Sequence, residues 1–232
     1  LTDISELVVK EKADLGVVVD PDVDRLAFIC EDGEMFGEEY TLVACADYVL
    51  SKTPGNTVSN MSSSRALRDV TVAHGGKYEA SAVGEVNVVE LMKKNNAIIG
   101  GEGNGGIIYP ESHYGRDSLV GVALFLTHLA NKKMSASALR ASYPEYYMSK
   151  NKIELTPQID VDAILVAMTD KYKNEDITTI DGVKIDFATE WVHLRKSNTE
   201  PIIRIYTEAP SQEKADVLAL RIIDEIKAIA GI

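Results

Sequence analysis

The stretch "GVVVDPDVDRLAFI", residues 16–29, places three aspartates at alternate positions inside a run that is otherwise apolar. Apolar flanks of this kind belong in a core, where unpaired carboxylates are costly to bury. Pro21 cannot donate to a sheet ladder, so we expect the strand to end there and a loop to begin. A loop can curl Asp20, Asp22 and Asp24 around one centre, and Mg²⁺ prefers such oxygen ligands. The stretch therefore predicts a magnesium site, with an acidic turn at a strand end as the alternative.

The composition limits the classes of function. The chain has 232 residues, a formal net charge of −12 and 45% hydrophobic residues, which suits one or two domains with a sizeable core. Nonspecific binding to nucleic acid or to an anionic membrane needs clustered Lys and Arg, so we expect neither partner. An anionic ligand must then bind at a local basic site. Cys30 and Cys45 form neither a metal spacing nor a disulfide framework, which predicts a reduced, cytoplasmic setting.

The pattern of apolar residues changes once along the chain. Across residues 15–130, short apolar strands alternate with helical patterns, which predicts an α/β layered arrangement. After "SYPEYYMSKNK", residues 142–152, a helix, three strands and a closing amphipathic helix follow, which predicts a separate small α+β domain beginning near Lys150. The chain starts at Leu1 and enters directly on a helix leading to a strand, which we interpret as a cut partway through a domain.

A second stretch, "IIGGEGNGGIIYPESHYGRDS" at residues 98–118, contains a glycine-rich loop at a strand end. Glycine lets the backbone approach a ligand closely or adopt positive φ. Glu102 and Asn104 carry the loop's only side chains, and a carboxylate beside an amide suits a pair of sugar hydroxyls. The Lys-Ser/Thr of a Walker A loop is absent. The pattern indicates a sugar-binding loop, with a flexible solvent loop as the alternative.

A third stretch, "LRKSNTEPIIRIYTE" at residues 194–208, predicts a tight loop between two strands. Two guanidinium groups, short hydroxyls and loop N–H groups together suit a phosphate. A hairpin whose polar residues only cap the turn is the alternative. The candidate phosphate ligands are Arg195, Ser197, Asn198 and Thr199 in the loop and Arg204 on the second strand.

Together the three stretches resemble the α-D-phosphohexomutase superfamily, which includes phosphoglucomutase, phosphomannomutase and phosphoglucosamine mutase. "DPDVDR" matches the family's metal loop (usually Asp-Pro-Asp-Gly-Asp-Arg), "GGEGNGG" its sugar-binding loop and "RKSNTEPIIR" its phosphate-binding loop. The resemblance implies a mixed-sheet α/β domain 3 with a partial domain 2, plus a small α+β C-terminal phosphate-binding domain. It assigns residues 1–38 to the end of domain 2 with the metal loop, 39–146 to domain 3 and 147–232 to domain 4.

The resemblance also implies an activity. Family members are isomerases that interconvert hexose 1-phosphate and hexose 6-phosphate through a phosphoserine and a bisphosphate intermediate. Glucose, mannose and glucosamine phosphates all stay open as substrates. By resemblance, the three aspartates would hold Mg²⁺ and Arg25 would help hold the transferring phosphate. Glu102 and Asn104 would fix the sugar hydroxyls, while the third stretch would hold the phosphate that is not reacting.

The chain departs from the family pattern in several places. It contains no Ser-His-Asn type loop, which carries the family's phosphoserine, so we expect the N-terminal half of the protein to be missing and this chain to be inactive by itself. Asn104 and Gly106 replace a serine and a histidine common in the sugar loop. Glu85 stands where a Lys or His often faces the substrate, which leaves the general acid and base unassigned. We expect Arg116 and Asp117 to be mainly structural.

Two other hypotheses stay open on the sequence. One is a noncatalytic module that binds Mg²⁺ and sugar phosphate. The other, less favoured, is a haloacid-dehalogenase-like phosphatase with an aspartate nucleophile in "DPDVD", residues 20–24. That class leaves the third stretch unexplained, because it does not need a phosphate loop near Arg195.

Overall fold

The computed structural model describes residues 1–154, 159–197 and 202–231, and divides the chain into two compact units, Leu1–Pro144 and Glu145–Ile232. The three-domain assignment from the sequence stays a prediction. Across the described ranges, no helix is both long enough and apolar enough to cross a membrane.

The first unit is the α/β part of the chain. Its elements are α1 (Thr2–Glu11), β1 (Leu15–Val19), β2 (Leu26–Cys30), α2 (Glu38–Lys52), β3 (Asn56–Asn60), α3 (Arg65–Ala73), β4 (Tyr78–Ser81), α4 (Glu85–Asn95), β5 (Ala97–Glu102), β6 (Gly106–Ile108), α5 (Ser118–Lys132) and α6 (Ala136–Ala141). Strands β1 and β2 form an antiparallel pair. The other four form a sheet in the order β4-β3-β5-β6, in which β3 runs parallel to β4 and β5 while β6 is antiparallel to β5. The predicted mixed-sheet α/β fold is confirmed.

Buried apolar side chains follow the metal loop on β2, whereas Val17 and Val19 of β1 before it are exposed, so the expected burial holds on one side only. Strand β1 ends at Val19, before Pro21, and β2 begins at Leu26, which is 1% exposed. Within β2, the ring of Phe28 stacks on that of Phe125 from α5, with centroids 3.9 Å apart. This contact fixes the end of the loop against the helix whose N-terminus lies beside it.

The second unit is an antiparallel sheet covered by helices. Its elements are β7 (Tyr147–Glu154), α7 (Val161–Lys171), β8 (Asp176–Thr178), β9 (Val183–Asp186), β10 (Trp191–Lys196), β11 (Ile202–Ala209) and α8 (Gln212–Ala230), with strand order β7-β11-β10-β9-β8. The sheet has two strands more than the three that the sequence predicts. Strand β7 pairs only with β11 at one edge and buries a single residue, Ile153, so it lacks the apolar alternation that reveals a strand.

A largely buried carboxylate links α2 to α5 and to the residues that follow α3 and α6. Asp47 on α2 accepts hydrogen bonds from His74 Nε2 (2.7 Å), His128 Nε2 (3.0 Å) and the Tyr143 hydroxyl (3.2 Å). Burial raises the pKa of Asp47, but the hydrogen bonds from His128 and His74 and the charges of His128 and Lys132 outweigh burial and hold the pKa well below its usual range. These contacts place His74 and His128 in structural roles.

Replacing Asp47 should therefore destabilise the first unit. Asp47→Asn presents an amide to ring N–H groups that need an acceptor, and we expect a loss of about 2 kcal/mol in the free energy of unfolding at pH 7. The carboxylate's folded-state pKa lies below its unfolded value of about 3.9, so its contribution is complete above that pH and is lost as the pH falls through the folded-state pKa. Urea unfolding followed by circular dichroism should show the parent–variant difference shrink below about pH 4.

Asp69→Asn is the matched control, because Asp69 pairs with Arg68 on the partly exposed surface of the same unit. Such pairs contribute about 0–1 kcal/mol. An Asp47→Asn variant no less stable than this control would show that the buried network does not stabilise the unit.

Candidate active site

The carboxyl ends of the parallel strands define the candidate site in the first unit. Strand β3 connects through α3 to β4 on one side, whereas β5 turns into β6 on the other side. The crevice between two strands whose connections leave in opposite directions is the usual ligand site of such sheets. Asn60 ends β3 and Glu102 ends β5, so both lie at this crevice.

Glu102 is buried at this edge with three hydrogen-bond donors around it. Its residue exposure is 6%. Asn60 Nδ2 (2.9 Å) and the Gly84 backbone N–H (3.2 Å) donate to Oε1, while Arg116 Nη1 (3.2 Å) donates to Oε2. A carboxylate has about four acceptor positions, so one remains for a further donor. The Glu102 side chain, which the sequence predicts to bind the sugar, is therefore held in one orientation by the protein itself.

Arg116 brings three separate segments together. Besides Glu102, its guanidinium donates to Asp24 Oδ2 on the metal loop through Nη2 and to Glu85 Oε2 at the start of α4 through Nε, 3.1 Å away. Its backbone N–H also donates to Glu85 Oε1 at 3.0 Å. The residue that the sequence assigns to a structural role thus lies between two of the predicted site residues. Only a contact between residues 24 and 116 could reveal this, and no local pattern contains it.

The metal loop is organised by its own backbone. The N–H groups of Asp24 and Arg25 both donate to Asp20 Oδ1 at 3.2 Å, and Arg25 Nε lies 3.5 Å from Asp20 Oδ2. Burial raises the pKa of Asp20, but the hydrogen bonds from Arg25 and Asp24 outweigh it and lower the pKa. Burial is also the largest influence on Asp24, whose pKa is raised in spite of Arg116.

The donor types of this loop fit magnesium, although its set of ligands is incomplete. Asp24 Oδ1 is buried and has no hydrogen-bond partner, with Arg25 Nε 3.8 Å away. An orphaned carboxylate oxygen of this kind suits a hard cation. Asp22, in contrast, is exposed, and no three acidic, His or Cys side chains in the described parts of the chain are grouped as a metal site. The loop thus offers oxygen ligands and leaves the remaining positions to another group.

A cleft of about 260 Å³ joins the metal loop to the sugar loop. Asp20 and Arg25 line it together with Asn104, which follows Glu102 in the β5–β6 turn. Asn104 Oδ1 accepts a hydrogen bond from the Gly106 N–H at 3.2 Å, so its amide group is held by the turn. One predicted sugar ligand, Asn104, therefore shares a cleft with two residues of the metal loop, Asp20 and Arg25.

The glycines of the β5–β6 turn are needed for packing within the protein. A Cβ at Gly103 would overlap the carboxylate of Glu39, and one at Gly105, whose φ is +82°, would overlap the carbonyl oxygen of Leu26. Leu26 N–H in turn donates to the Gly105 carbonyl at 3.1 Å. The turn is thus pinned to the start of β2, which accounts for its glycines without a ligand.

The predicted phosphate ligands lie in the second unit. Arg195 on β10 and Arg204 on β11 are directly opposite each other in the antiparallel register. Asp181 accepts from Arg195 Nε, with its oxygens 2.9 and 3.1 Å away. Ser197 N–H donates to the Ile202 carbonyl at 3.0 Å, which closes the strand pair. Asn198 and Thr199 lie outside the described residues.

Fold and site together define a multidomain α/β protein with a carboxylate-rich site in one unit and paired arginines in the next. Two family models match it: "Phosphoglucomutase/phosphomannomutase, alpha/beta/alpha domain III" over residues 37–147, and "Phosphoglucomutase/phosphomannomutase, C-terminal domain" over residues 152–225. The chain belongs to the phosphoglucomutase/phosphomannomutase family, which confirms the resemblance drawn from its three loops.

Individual proteins agree with this assignment. A phosphoglucomutase/phosphomannomutase of Thermococcus kodakarensis is 37% identical over 93% of this chain and 47% of its own length. The fold matches that of a Burkholderia thailandensis family member with a TM-score of 0.83, at 22% identity over 98% of this chain and 49% of the other. An Aspergillus fumigatus N-acetylphosphoglucosamine mutase, solved with GlcNAc-6P and magnesium, matches with a TM-score of 0.66 at 14% identity, over 92% of this chain and 48% of its own. The chain spans about half the length of the curated relatives it matches.

Val23 places a strained residue in the metal loop, at the position where the family pattern usually has glycine. Its φ is +59°, which is a true outlier for a β-branched residue. The conformation is held because Val23 N–H donates to the Asp20 carbonyl (3.0 Å) and the Val23 carbonyl accepts from Ser118 Oγ (2.8 Å).

Relieving this strain should stabilise the protein. Left-handed backbone costs an ordinary residue about 1–2 kcal/mol, and glycine loses about 0.5–1 kcal/mol through the entropy of the unfolded chain. Val23 is 45% exposed, so little burial is lost. We expect Val23→Gly to raise the free energy of unfolding by about 0.5–1 kcal/mol in urea titrations. Val23→Ala, which keeps a Cβ, should raise the free energy of unfolding by less. Equal stability of the two variants would contradict the left-handed conformation.

Proposed function

We propose that this chain is part of a phosphohexomutase, an isomerase that interconverts hexose 1-phosphate and hexose 6-phosphate. The hexose is glucose, mannose or glucosamine. The observation that carries the proposal is the bridge that Arg116 makes between Asp24 on the metal loop and Glu102 on the sugar loop. Family membership favours this function over the aspartate-nucleophile phosphatase.

Magnesium would be held by Asp20, Asp22 and Asp24, and when bound it would neutralise charge on the transferring phosphoryl group. The incomplete ligand set of the loop supports a further oxygen ligand from elsewhere. In the proposed mechanism that ligand is the phosphoserine, on a segment outside these 232 residues. The magnesium in the Aspergillus fumigatus relative supports the choice of ion.

The roles of the sugar ligands follow from their hydrogen bonds. Glu102 already accepts three hydrogen bonds, so its remaining acceptor position could receive one sugar hydroxyl, and Asn104 would bind a neighbouring hydroxyl from the cleft beside the metal loop. Arg25 lines this cleft and is half-exposed, which leaves its guanidinium accessible to the transferring phosphate. In this proposal these residues would bind and orient the substrate, and the general acid and base stay unassigned.

The second unit would hold the phosphate that does not react. Like charges directly opposite each other on two strands are destabilising, and a bound dianion between Arg195 and Arg204 would remove that repulsion. Asp181 neutralises part of this charge at present. Ser197 and Thr199 would add hydroxyls, and Asn198 an amide. A cytoplasmic setting and the absence of nucleic-acid and membrane partners stay expectations from composition.

Substitutions at Arg195 and at Asp181 should change the phosphate affinity of the second unit in opposite directions. Arg195→Ala removes a charge-assisted hydrogen bond of about 1.5–3 kcal/mol, so inorganic phosphate should bind more weakly by about tenfold or more. Arg195→Lys should keep only part of the phosphate affinity, because the lysine ammonium is a point charge and lacks the planar fork of the guanidinium. Asp181→Asn removes the carboxylate that competes for Arg195 and should strengthen binding. The measurement is an NMR titration with inorganic phosphate.

Arg221→Ala is the control for loss of one positive charge, since Arg221 lies on α8 and is half-exposed. It should bind phosphate like the parent. If Arg195→Ala does so too, the loop is only a hairpin turn.

The chain by itself should not interconvert glucose 1-phosphate and glucose 6-phosphate, because it holds no phosphoserine loop. In a coupled assay with magnesium and glucose 1,6-bisphosphate, the rate with the chain should equal the rate in buffer without it. Interconversion by the pure chain would contradict the proposed phosphoserine mechanism. Release of inorganic phosphate that is abolished in Asp20→Asn would favour the phosphatase instead.

A further inference from the structure

We infer that Arg116 is a positioning residue that couples the metal loop to the sugar loop, so that a cation bound at Asp24 changes how Glu102 accepts a substrate hydroxyl. The inference rests on the proposed function and extends it to a residue whose side chain reaches both loops. Its basis is the arrangement of one guanidinium among three carboxylates.

The three carboxylates compete for Arg116. Asp24, Glu85 and Glu102 each accept from a different nitrogen of its fork, namely Nη2, Nε and Nη1. Three carboxylates and one guanidinium leave a formal charge of −2, which one divalent cation would cancel. The Arg116 side chain is 15% exposed, so water screens these interactions less than it would at the surface.

A cation at Asp24 would redistribute these hydrogen bonds. Arg116 occupies Asp24 Oδ2, while Oδ1 is the buried oxygen without a hydrogen-bond partner. A magnesium ion attracted to Oδ1 would take over the neutralisation of Asp24, and Arg116 would then interact more strongly with Glu102 and Glu85. Glu102 Oε1, which the Gly84 N–H also contacts, would respond to that change.

The planar fork is essential to this coupling. Three nitrogens in fixed geometry can reach three carboxylates at once, whereas a lysine ammonium is a single point charge. Arg116→Lys keeps the net charge of the site and removes the bridge. A purely electrostatic effect of magnesium on the sugar loop would therefore survive this substitution, and a coupling carried by the bridge would not.

The first readout is the amide resonance of Gly84, which lies outside the metal loop. In the parent chain, titration with Mg²⁺ should shift this resonance, and in Arg116→Lys the shift at saturation should fall at least threefold. The second readout is the affinity for glucose 6-phosphate, which Mg²⁺ should change about fivefold in the parent, a typical coupling between two sites. In Arg116→Lys the affinities for glucose 6-phosphate with and without Mg²⁺ should agree within twofold. Arg68→Lys, at a half-exposed arginine of the same unit, should behave like the parent.

The outcomes separate this inference from the proposed function. A parent chain that binds neither Mg²⁺ nor the 6-phosphate of glucose, mannose or glucosamine overturns both. A parent that binds both ligands, with the Gly84 shift and the affinity ratio unchanged in Arg116→Lys, overturns the role of Arg116 alone. If Arg116→Lys does not fold, Glu85→Gln removes one competing carboxylate instead and should enlarge the Gly84 shift; a shift that stays the same or shrinks contradicts the inference.

Discussion

The carboxylate of Glu102 has to be satisfied where the sheet buries it, and much of the first unit's site is arranged around that requirement. Its donors come from the end of β3, the start of α4 and the segment before α5. A buried carboxylate without such donors would cost several kcal/mol, so these segments are held in place together. Arg116, once fixed by Glu102, also fixes Asp24, which links the metal loop to the same edge of the sheet.

The two candidate sites carry charges of opposite sign. The protein has a net charge of −12, yet its proposed substrate is an anion. In the first unit the carboxylates at the sheet edge outnumber the guanidinium between them, which suits a cation. In the second unit Arg195 and Arg204 stand opposite each other, which suits a phosphate. An acidic protein can therefore bind an anionic sugar, because the positive groups are local and the excess negative charge at the other site would be offset by metal.

Local patterns in the sequence predicted the features that depend on neighbouring residues. Pro21 marks the end of β1 and the glycines mark the turn between β5 and β6, whereas Arg195, expected in the loop after β10, lies on that strand. Strand β7 was missed because an edge strand with one buried residue carries no apolar alternation. The same limit applies to the glycines: their number was visible, whereas the reason for two of them, contact with Glu39 and with Leu26, required the fold.

The candidate site depends on distances along the chain that local patterns do not span. Asn60 and Arg116 were absent from the predicted ligands, although both donate to Glu102. Asn60 lies 42 residues before it, and Arg116 contacts an aspartate 92 residues away. A single arginine after a glycine has no signature of its own. Its role follows only from the parallel strands, whose carboxyl ends bring these segments to one edge.

The pinned turn between β5 and β6 restricts how the proposed sugar-binding site could change in evolution. A Cβ at Gly105 would overlap the backbone carbonyl of Leu26 at a positive φ, so this position has no room for a side chain, whereas a side chain at Gly103 would first have to displace the carboxylate of Glu39. Glu102 is itself held by three donors, so a substitution there would leave those donors unpaired. Asn104 is then the position at which a single codon change can explore other hydroxyl patterns without disturbing the scaffold.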